Sequence, residues 1–531
     1  MRVSTILTAS LLGAALCACG ADAPPAAYVA EPLVTGGSPF HGVHGLRFDD
    51  ADRLHAVSVI GQSVFRVDTA TGAVETVVGP REGMADDLAF HPDGTMVWTA
   101  IEDGIVYARS PGGPVRRLME GQKGVNAVSF SPDGERLFVT LVFYGDALYE
   151  LDLDGAEAPR LVAEGLGGLN AFEVADDGMI YGPLVFAGQV VRVDPDSGAV
   201  EVITDAVDDV GALKLAGDGT AYVLDNGAGA LLRVDLATGE TAVVAELPYG
   251  ADNLDVRSDG RVFVSLSEVN AIIDIDPATG AFTYVVEPAP FTSTTGVAVA
   301  DQVYVADLFG GVKVLDPATG AITETPIDIF QPAHLSIRDD RLVVVSEVFG
   351  AIQLVDRDTF EVLRAWDGFT FPGDALEAPN GDLIVAETGT GQLLRLTGTD
   401  PVVRRVVTDE LAGPVGVAWA SDDVVYVTER DGGRVVRVEL ASGATSVEAT
   451  GLLQPEGIAV TADGAMLVME VGARRLVRIE PMGGAEVAIA ENLPIGFANG
   501  PSLFRGVAVS GDTIYFNSDA ENTVYRLVPQ Q

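Results

Sequence analysis

Apolar and polar residues alternate along this chain in short runs broken by turn residues. SVFRVD (Ser63 to Asp68) and QLLRL (Gln392 to Leu396) place apolar side chains at close to every second position. That period predicts strands with one face on a core. PDG at Pro92 and Pro132 predicts tight turns, because proline presets φ, Asp bonds its own backbone and Gly takes positive φ. TATG at Thr69 and PATG at Pro277 and Pro317 do the same work between later strands. No useful window sustains a helical period, so helical repeats are not expected.

The pattern is a repeat of about 41 residues. Its first strand reads GLRF at Gly45, DLAF at Asp87, AVSF at Ala127, AFEV at Ala171, ALKL at Ala212 and NLDV at Asn253. It continues as GVAV at Gly296, HLSI at His334, ALEA at Ala375, GVAW at Gly416, GIAV at Gly457 and GVAV at Gly506. A unit this short cannot bury its own apolar face, so neighbouring units must stack. Four short antiparallel strands repeated radially make a β-propeller blade, and rings typically hold about four to eight blades. Twelve units therefore predict an all-β chain of two tandem six-bladed propellers.

Strand counting sets the expected boundary. One apolar run, EPLVTGG (Glu31 to Gly37), precedes the first copy, and the last copy stops after three strands at VYRLV (Val524 to Val528). A ring that opens with a fourth strand and closes with the first three hides its edges. Applied twice, this gives a first ring over 31–279 and a second over 280–531, opening with AFTYVVE (Ala281 to Glu287). The same count also admits another closure, in which the N-terminal strand completes the second ring and the first ring is inserted.

The chain's start predicts an address. Arg2 followed by VSTILTASLLGAAL has the charge and apolar stretch of a signal peptide over 1–18, too short for a membrane span. Leu16-Cys17-Ala18-Cys19 resembles the bacterial lipoprotein cleavage box, which implies lipidation at Cys19 and a flexible tether over 19–30. Gly20 resembles the residue found in lipoproteins released to the outer membrane. The expected location is the cell envelope, at the outer membrane in a Gram-negative cell. These are the only two cysteines, so no disulfide is expected in the mature chain. The net charge of −45 is spread over all units and argues against nucleic-acid binding. It would also be repelled by anionic membranes, which leaves the lipid as the anchor of an expected monomer.

Candidate chemistry lies in one column. In a propeller the first strand of each blade lines the channel, and the residue before it faces the channel mouth. The first ring gives His44, Asp86, Asn126, Asn170, Gly211 and Asp252; the second gives Thr295, Ala333, Asp374, Val415, Glu456 and Arg505. ADDLAFHPDG from Ala85, VNAVSFSPDG from Val125 and LNAFEVADDG from Leu169 resemble the senescence-marker-protein/gluconolactonase family, and more loosely NHL-repeat propellers. The resemblance implies a divalent cation, usually calcium, in the channel mouth. The family holds it with a Glu, an Asn and an Asp, with a further Asn toward substrate. Carried over, the Glu falls on His44, the substrate-side Asn on Asp86, the metal-binding Asn on Asn126 and the Asp on Asn170. Only the Asn at 126 matches.

Without the family, Asp86, Asn126, Asn170 and Asp252 form a candidate oxygen set for calcium, which takes six to eight such ligands. On that reading Asp86 or Asp252 is the catalytic base for a polarised lactone. The bland alternative is a solvated polar channel. His44, Asp374, Glu456 and Arg505 are candidate ligand-binding residues; the last three fit a buried charge network equally well. The recurrent acid after the second strand, at Asp307, Glu347, Glu387, Glu429 and Glu470, reads as a repeated structural contact. His41, His55 and His91 read as ordinary strand-edge or turn residues. No nucleophile elbow, phosphate loop or zinc-protease motif is present. Two functions follow as expectations: a pair of propellers binding a small-molecule or protein ligand at the channel mouths, or a calcium-dependent lactone hydrolase.

Overall fold

The computed structural model describes residues 28–80, 82–323, 331–398, 402–497 and 504–530. Cys19, the expected signal peptide and residues 19–27 of the expected tether lie outside them; residues 28–30, expected as tether, instead begin the strand Tyr28–Pro32. The described residues form twelve four-stranded antiparallel sheets. The first six run consecutively from Leu46–Phe48 to Phe282–Val286. They close into a ring where the Phe48 amide donates to Asp255 Oδ2 at 2.6 Å, joining the first sheet to the sixth. The second ring begins with Thr294–Val299 and closes where Asn517 Nδ2 donates to the Thr294 carbonyl at 3.1 Å.

Local chemistry builds each sheet. Asp68, Asp235, Asp276, Asp316 and Asp356 each accept backbone N–H groups two or three residues on, closing the turn between third and fourth strands. This is the Asx turn that the TG pattern predicts. The core lies between neighbouring sheets. Val125, Val128, Leu137 and Val139 of the third sheet, for example, pack with Val97, Val106 and Ala108 of the second.

The ring boundary differs from the expectation. Phe282–Val286, expected to open the second ring, pairs with Ala271–Ile275 and completes the sixth sheet of the first. Tyr28–Pro32 pairs with Thr523–Pro529 and supplies the outer strand of the last sheet. The boundary expected between 279 and 280 is therefore corrected. Thr279 and Gly280 lie in a turn within one sheet, and the first ring is inserted between the first strand of the chain and the rest of the second ring. Both closures hide the same number of edges, so counting strands cannot choose between them.

The two crossovers between rings are buried. Phe40, on the way into the first ring, and Phe291, on the way out, are both fully buried. Phe40 packs with Phe65 and Phe263 of the first ring, and Phe291 with Val305, Tyr515 and Val524 of the second. Each contributes about 1.5–3 kcal/mol on burial. His41, read from sequence as an ordinary edge residue, is fully buried at this junction, with Nδ1 2.9 Å from Ser293 Oγ.

Candidate functional site at the channel mouths

The mouth column is set by backbone geometry. The amides of His44, Asp86, Asn170 and Asp252 each donate to a second-strand carbonyl of their own sheet, those of Val57, Thr99, Pro183 and Ser265. The shared register turns these side chains to the same end of the channel. Sheets are tied to one another there as well: Thr99 Oγ1 donates to the Asn126 carbonyl, and Thr428 Oγ1 to that of Glu456.

In the first mouth, His44 meets two of the predicted carboxylates. Its Nδ1 lies 3.4 Å from Asp252 Oδ1 and 4.0 Å from Asp86 Oδ1. Burial opposes a charge on His44, but Asp252 and then Asp86 outweigh it and push the imidazole up to about 9. It is therefore an imidazolium at neutral pH. Burial pushes the Asp86 carboxyl up to about 7, with His44 holding it back in part. Phe309 of the second ring closes over this cation edge-on, with ring centroids 6.5 Å apart. Asn126 is buried, and Asn170 Nδ2 makes a long 3.5 Å contact to the Gly211 carbonyl.

Beneath this mouth lies an ionic network that the column search did not reach. Arg47 Nη1 is 2.8 Å from Glu173 Oε1 and 3.7 Å from Asp255 Oδ1. Lys214 Nζ is 3.5 Å and 3.9 Å from the same two atoms. Burial raises the Glu173 carboxyl, but Lys214 and Arg47 outweigh it and hold it below its ordinary value. Glu173, Asp87 and Asp255 also accept the amides of Leu215, Val128 and Phe48, so each pins the next blade. The signal was three residues further on, at the middle of the apolar-x-apolar strand. Arg47, Ala89, Ser129, Glu173, Lys214 and Asp255 occupy it in the first ring, against mostly alanine in the second. The far end of this channel opens into a pocket of about 290 Å³ lined by residues including Arg47, Phe90, Ser129 and Glu173.

The second mouth satisfies its own charges. Arg505 Nη1 donates to Glu456 Oε2 at 2.7 Å, and Nη2 to Glu347 Oε2 at 3.0 Å. Burial pushes the Glu456 carboxyl up to about 7 against the pull of Arg505. Asp374 lies apart from this group. Its Oδ2 accepts the Val417 amide at 2.8 Å and its Oδ1 lies 2.6 Å from His334 Nδ1. It thus joins two blades, as Asp87 does in the first ring. The recurrent acids behave as structural contacts at Asp307, Glu387 and Glu470, which accept amides of the loop entering their own sheet. Glu347 instead turns inward to Arg505.

Among the described residues, no group of three or more His, Cys, Asp or Glu is arranged as a metal cradle. The oxygen set of the first mouth does not match the carboxylate-rich pattern of the calcium family. Two of that family's carboxylates are His44 and Asn170, and both remaining Asp side chains face the His44 cation.

No family model matches the chain. A WD repeat-containing protein of Synechocystis sp. is 34% identical over 61 residues, which are 11% of this chain and 19% of that relative. Among solved structures, virginiamycin B lyase from Staphylococcus aureus is 15% identical with a TM-score of 0.31, covering 60% of this chain and 95% of its own. The tricorn protease is 14% identical with a TM-score of 0.38, covering 91% of this chain and 55% of its own. These likenesses assign no activity. The twelve sheets and their two closures make this chain a β-propeller protein of two six-bladed rings.

Proposed function

We propose that this chain is a binding protein of the cell envelope, tethered through a lipid on Cys19, that receives a cationic partner at the mouth of the first ring. The observation that carries this reading is the unequal finish of the two mouths. The second spends its charges on the Arg505–Glu456–Glu347 and His334–Asp374 contacts. The first likewise pairs one cation, His44, with two acids, but there the Asp252 side chain is 37% exposed, against 21% for Glu347 and 1% for Glu456. Exposed acids on the surrounding loops extend the same sign of charge and draw a cation toward the mouth. In purified mature protein, oligolysine should bind with an affinity that falls with salt and with Asp252→Asn. Binding indifferent to both changes would defeat the mouth as the receiving site. Cys19→Ser should release the protein from the membrane fraction; persistent attachment would remove the lipid anchor.

A lactone hydrolase is the second reading, supported by one observation. Asp86, at about 7, sits in the range that suits a general acid or base near neutral pH. Lactone turnover lost in Asp86→Asn, together with calcium in elemental analysis of the purified protein, would establish that reading over the binding one.

A further inference from the structure

The loops beside the first mouth carry an aromatic surface that the fold does not use. Phe143 and Phe186 occupy equivalent loops of the third and fourth sheets, each between second and third strands. They are 63% and 61% exposed, and their rings meet edge-to-face at 5.7 Å. Tyr144 stands beside them, also exposed. It is braced by the Glu102 carboxylate at 3.0 Å from its hydroxyl and by Lys123 Nζ at 4.2 Å from its ring centre. Phe143 holds its place at a cost. Its φ is +67°, a left-handed conformation that bulky side chains rarely adopt. Glycine would take that position without strain. Strained backbone clusters at functional sites, and exposed apolar patches mark contact surfaces.

The field around this patch is acidic. Glu102, Asp103 and Glu120 lie on the loops to one side, and Asp205, Asp208 and Asp209 on the loop to the other; all six are exposed. Lys123 is nearby, but its ammonium is 2.8 Å from Glu102. A second copy of this chain, itself at −45, would be repelled. An anionic lipid surface would be repelled for the same reason. We infer that the Phe143–Phe186 patch docks a basic peptide segment of a partner protein, whose apolar side chains cover the two rings while its lysines or arginines meet the flanking carboxylates. This rests on the cationic-partner reading of the first mouth and extends it to a partner with apolar side chains as well.

The test uses the mature protein and three labelled peptides, of alternating lysine and leucine, lysine and serine, and glutamate and leucine, followed by fluorescence anisotropy. The lysine–leucine peptide should bind roughly tenfold to a hundredfold more tightly than the lysine–serine peptide, the gain from covering one or two apolar side chains. The glutamate–leucine peptide should not bind. Phe143→Gly with Phe186→Ser should erase the difference between the two lysine peptides while the melting temperature stays level or rises, since glycine relieves the strain at 143. Equal binding of the two lysine peptides by the native protein would overturn the aromatic site while sparing the charged mouth. Failure of both would overturn the mouth as well. A double variant that keeps the preference for leucine would place the apolar contact elsewhere and sink the assignment.

Discussion

The side-chain amides of Asn270 and Asn522 donate to the same three carbonyl oxygens, those of Phe40, Phe291 and Thr292. Each amide oxygen accepts one further amide: Gly42 at 2.8 Å for Asn270 and Thr294 at 2.8 Å for Asn522. The two residues hold equivalent loops of the last sheet in each ring. They form a two-fold clamp around the crossovers. Both sit at positive φ, 54° and 52°, which asparagine tolerates.

Asn270→Gly and Asn522→Gly keep that backbone conformation and remove only the amide. Each buried group left without a partner costs about 1–3 kcal/mol. Either substitution should therefore lower stability by about 2–4 kcal/mol in denaturant unfolding. The double variant should cost more than the sum, because each amide keeps the shared carbonyls paired when the other is gone. Full additivity would mean that the two amides act independently.

Removal of residues 28–32 should unprotect the second ring alone. Amides of Thr523–Pro529 that face the missing strand should exchange faster with deuterium, while those of the first ring keep their protection. Reattaching the same five residues after the C-terminus through a glycine–serine linker should restore the pattern. Loss of protection in Leu46–Phe48 or Phe282–Val286 instead would contradict the pairing of the chain ends.

Acid should loosen the junction through His41. Burial holds this imidazole at about 4, below its ordinary 6.5, against a hydrogen bond to the Asp519 backbone. The folded state therefore binds fewer protons than the unfolded one. The stability from the neutral ring is present in full above 6.5 and is lost as pH falls toward 4. The loss is on the order of 3 kcal/mol. His41→Gln should flatten that part of the stability profile. An unchanged slope would assign the acid sensitivity to other groups.

Arg505→Met should destabilise the second ring by about 3–5 kcal/mol, since it leaves Glu456 buried without its cation. Burial already raises Glu456 to about 7. A raised carboxyl favours the folded state while protonated, so its contribution is present below its ordinary 4.5 and is lost as pH rises through 7. Without Arg505 the carboxyl rises further. The variant's deficit should therefore grow toward alkaline pH, and Glu456→Gln in the same chain should recover much of it. A deficit independent of pH would show that Arg505 acts through packing.

The repeat, the strands within each copy and the turn chemistry were legible, because each rests on local rules that act within a few residues; the N-terminal strand was not, since it lies at Tyr28–Pro32 and the expectation put it at Glu31 to Gly37. The column beginning with His44 was legible too, and so was the structural role of Asp307, Glu387 and Glu470. The closure was not. The run at Tyr28 and the run at Phe282 are equally good fourth strands, and the choice between them lies in distant contacts of Phe40, Phe291, Asn270 and Asn522. The Arg47–Glu173–Lys214–Asp255 network was written in the sequence at the middle of the first strand in four of six copies, but charged residues inside an apolar triplet look like solvent-facing ones until six strands converge. The partners of Glu456 and Asp374 diverge for a related reason: one meets the arginine of the next blade, the other the next blade's Val417 amide and His334 of the blade before.

The pairing of Tyr28–Pro32 with Thr523–Pro529 also sets an order in time. A chain made from its N-terminus produces that first strand long before its partner exists. Residues 46–286 contain every strand of the inserted ring, so it can close while the second ring is still being made. The early strand must wait, unpaired, until the last few residues arrive. Closure of the second ring is thus the most non-local event in the molecule and the slow step of its assembly. Pulse-labelled exchange during refolding should find the amides of Phe282–Val286 protected before those of Thr523–Pro529.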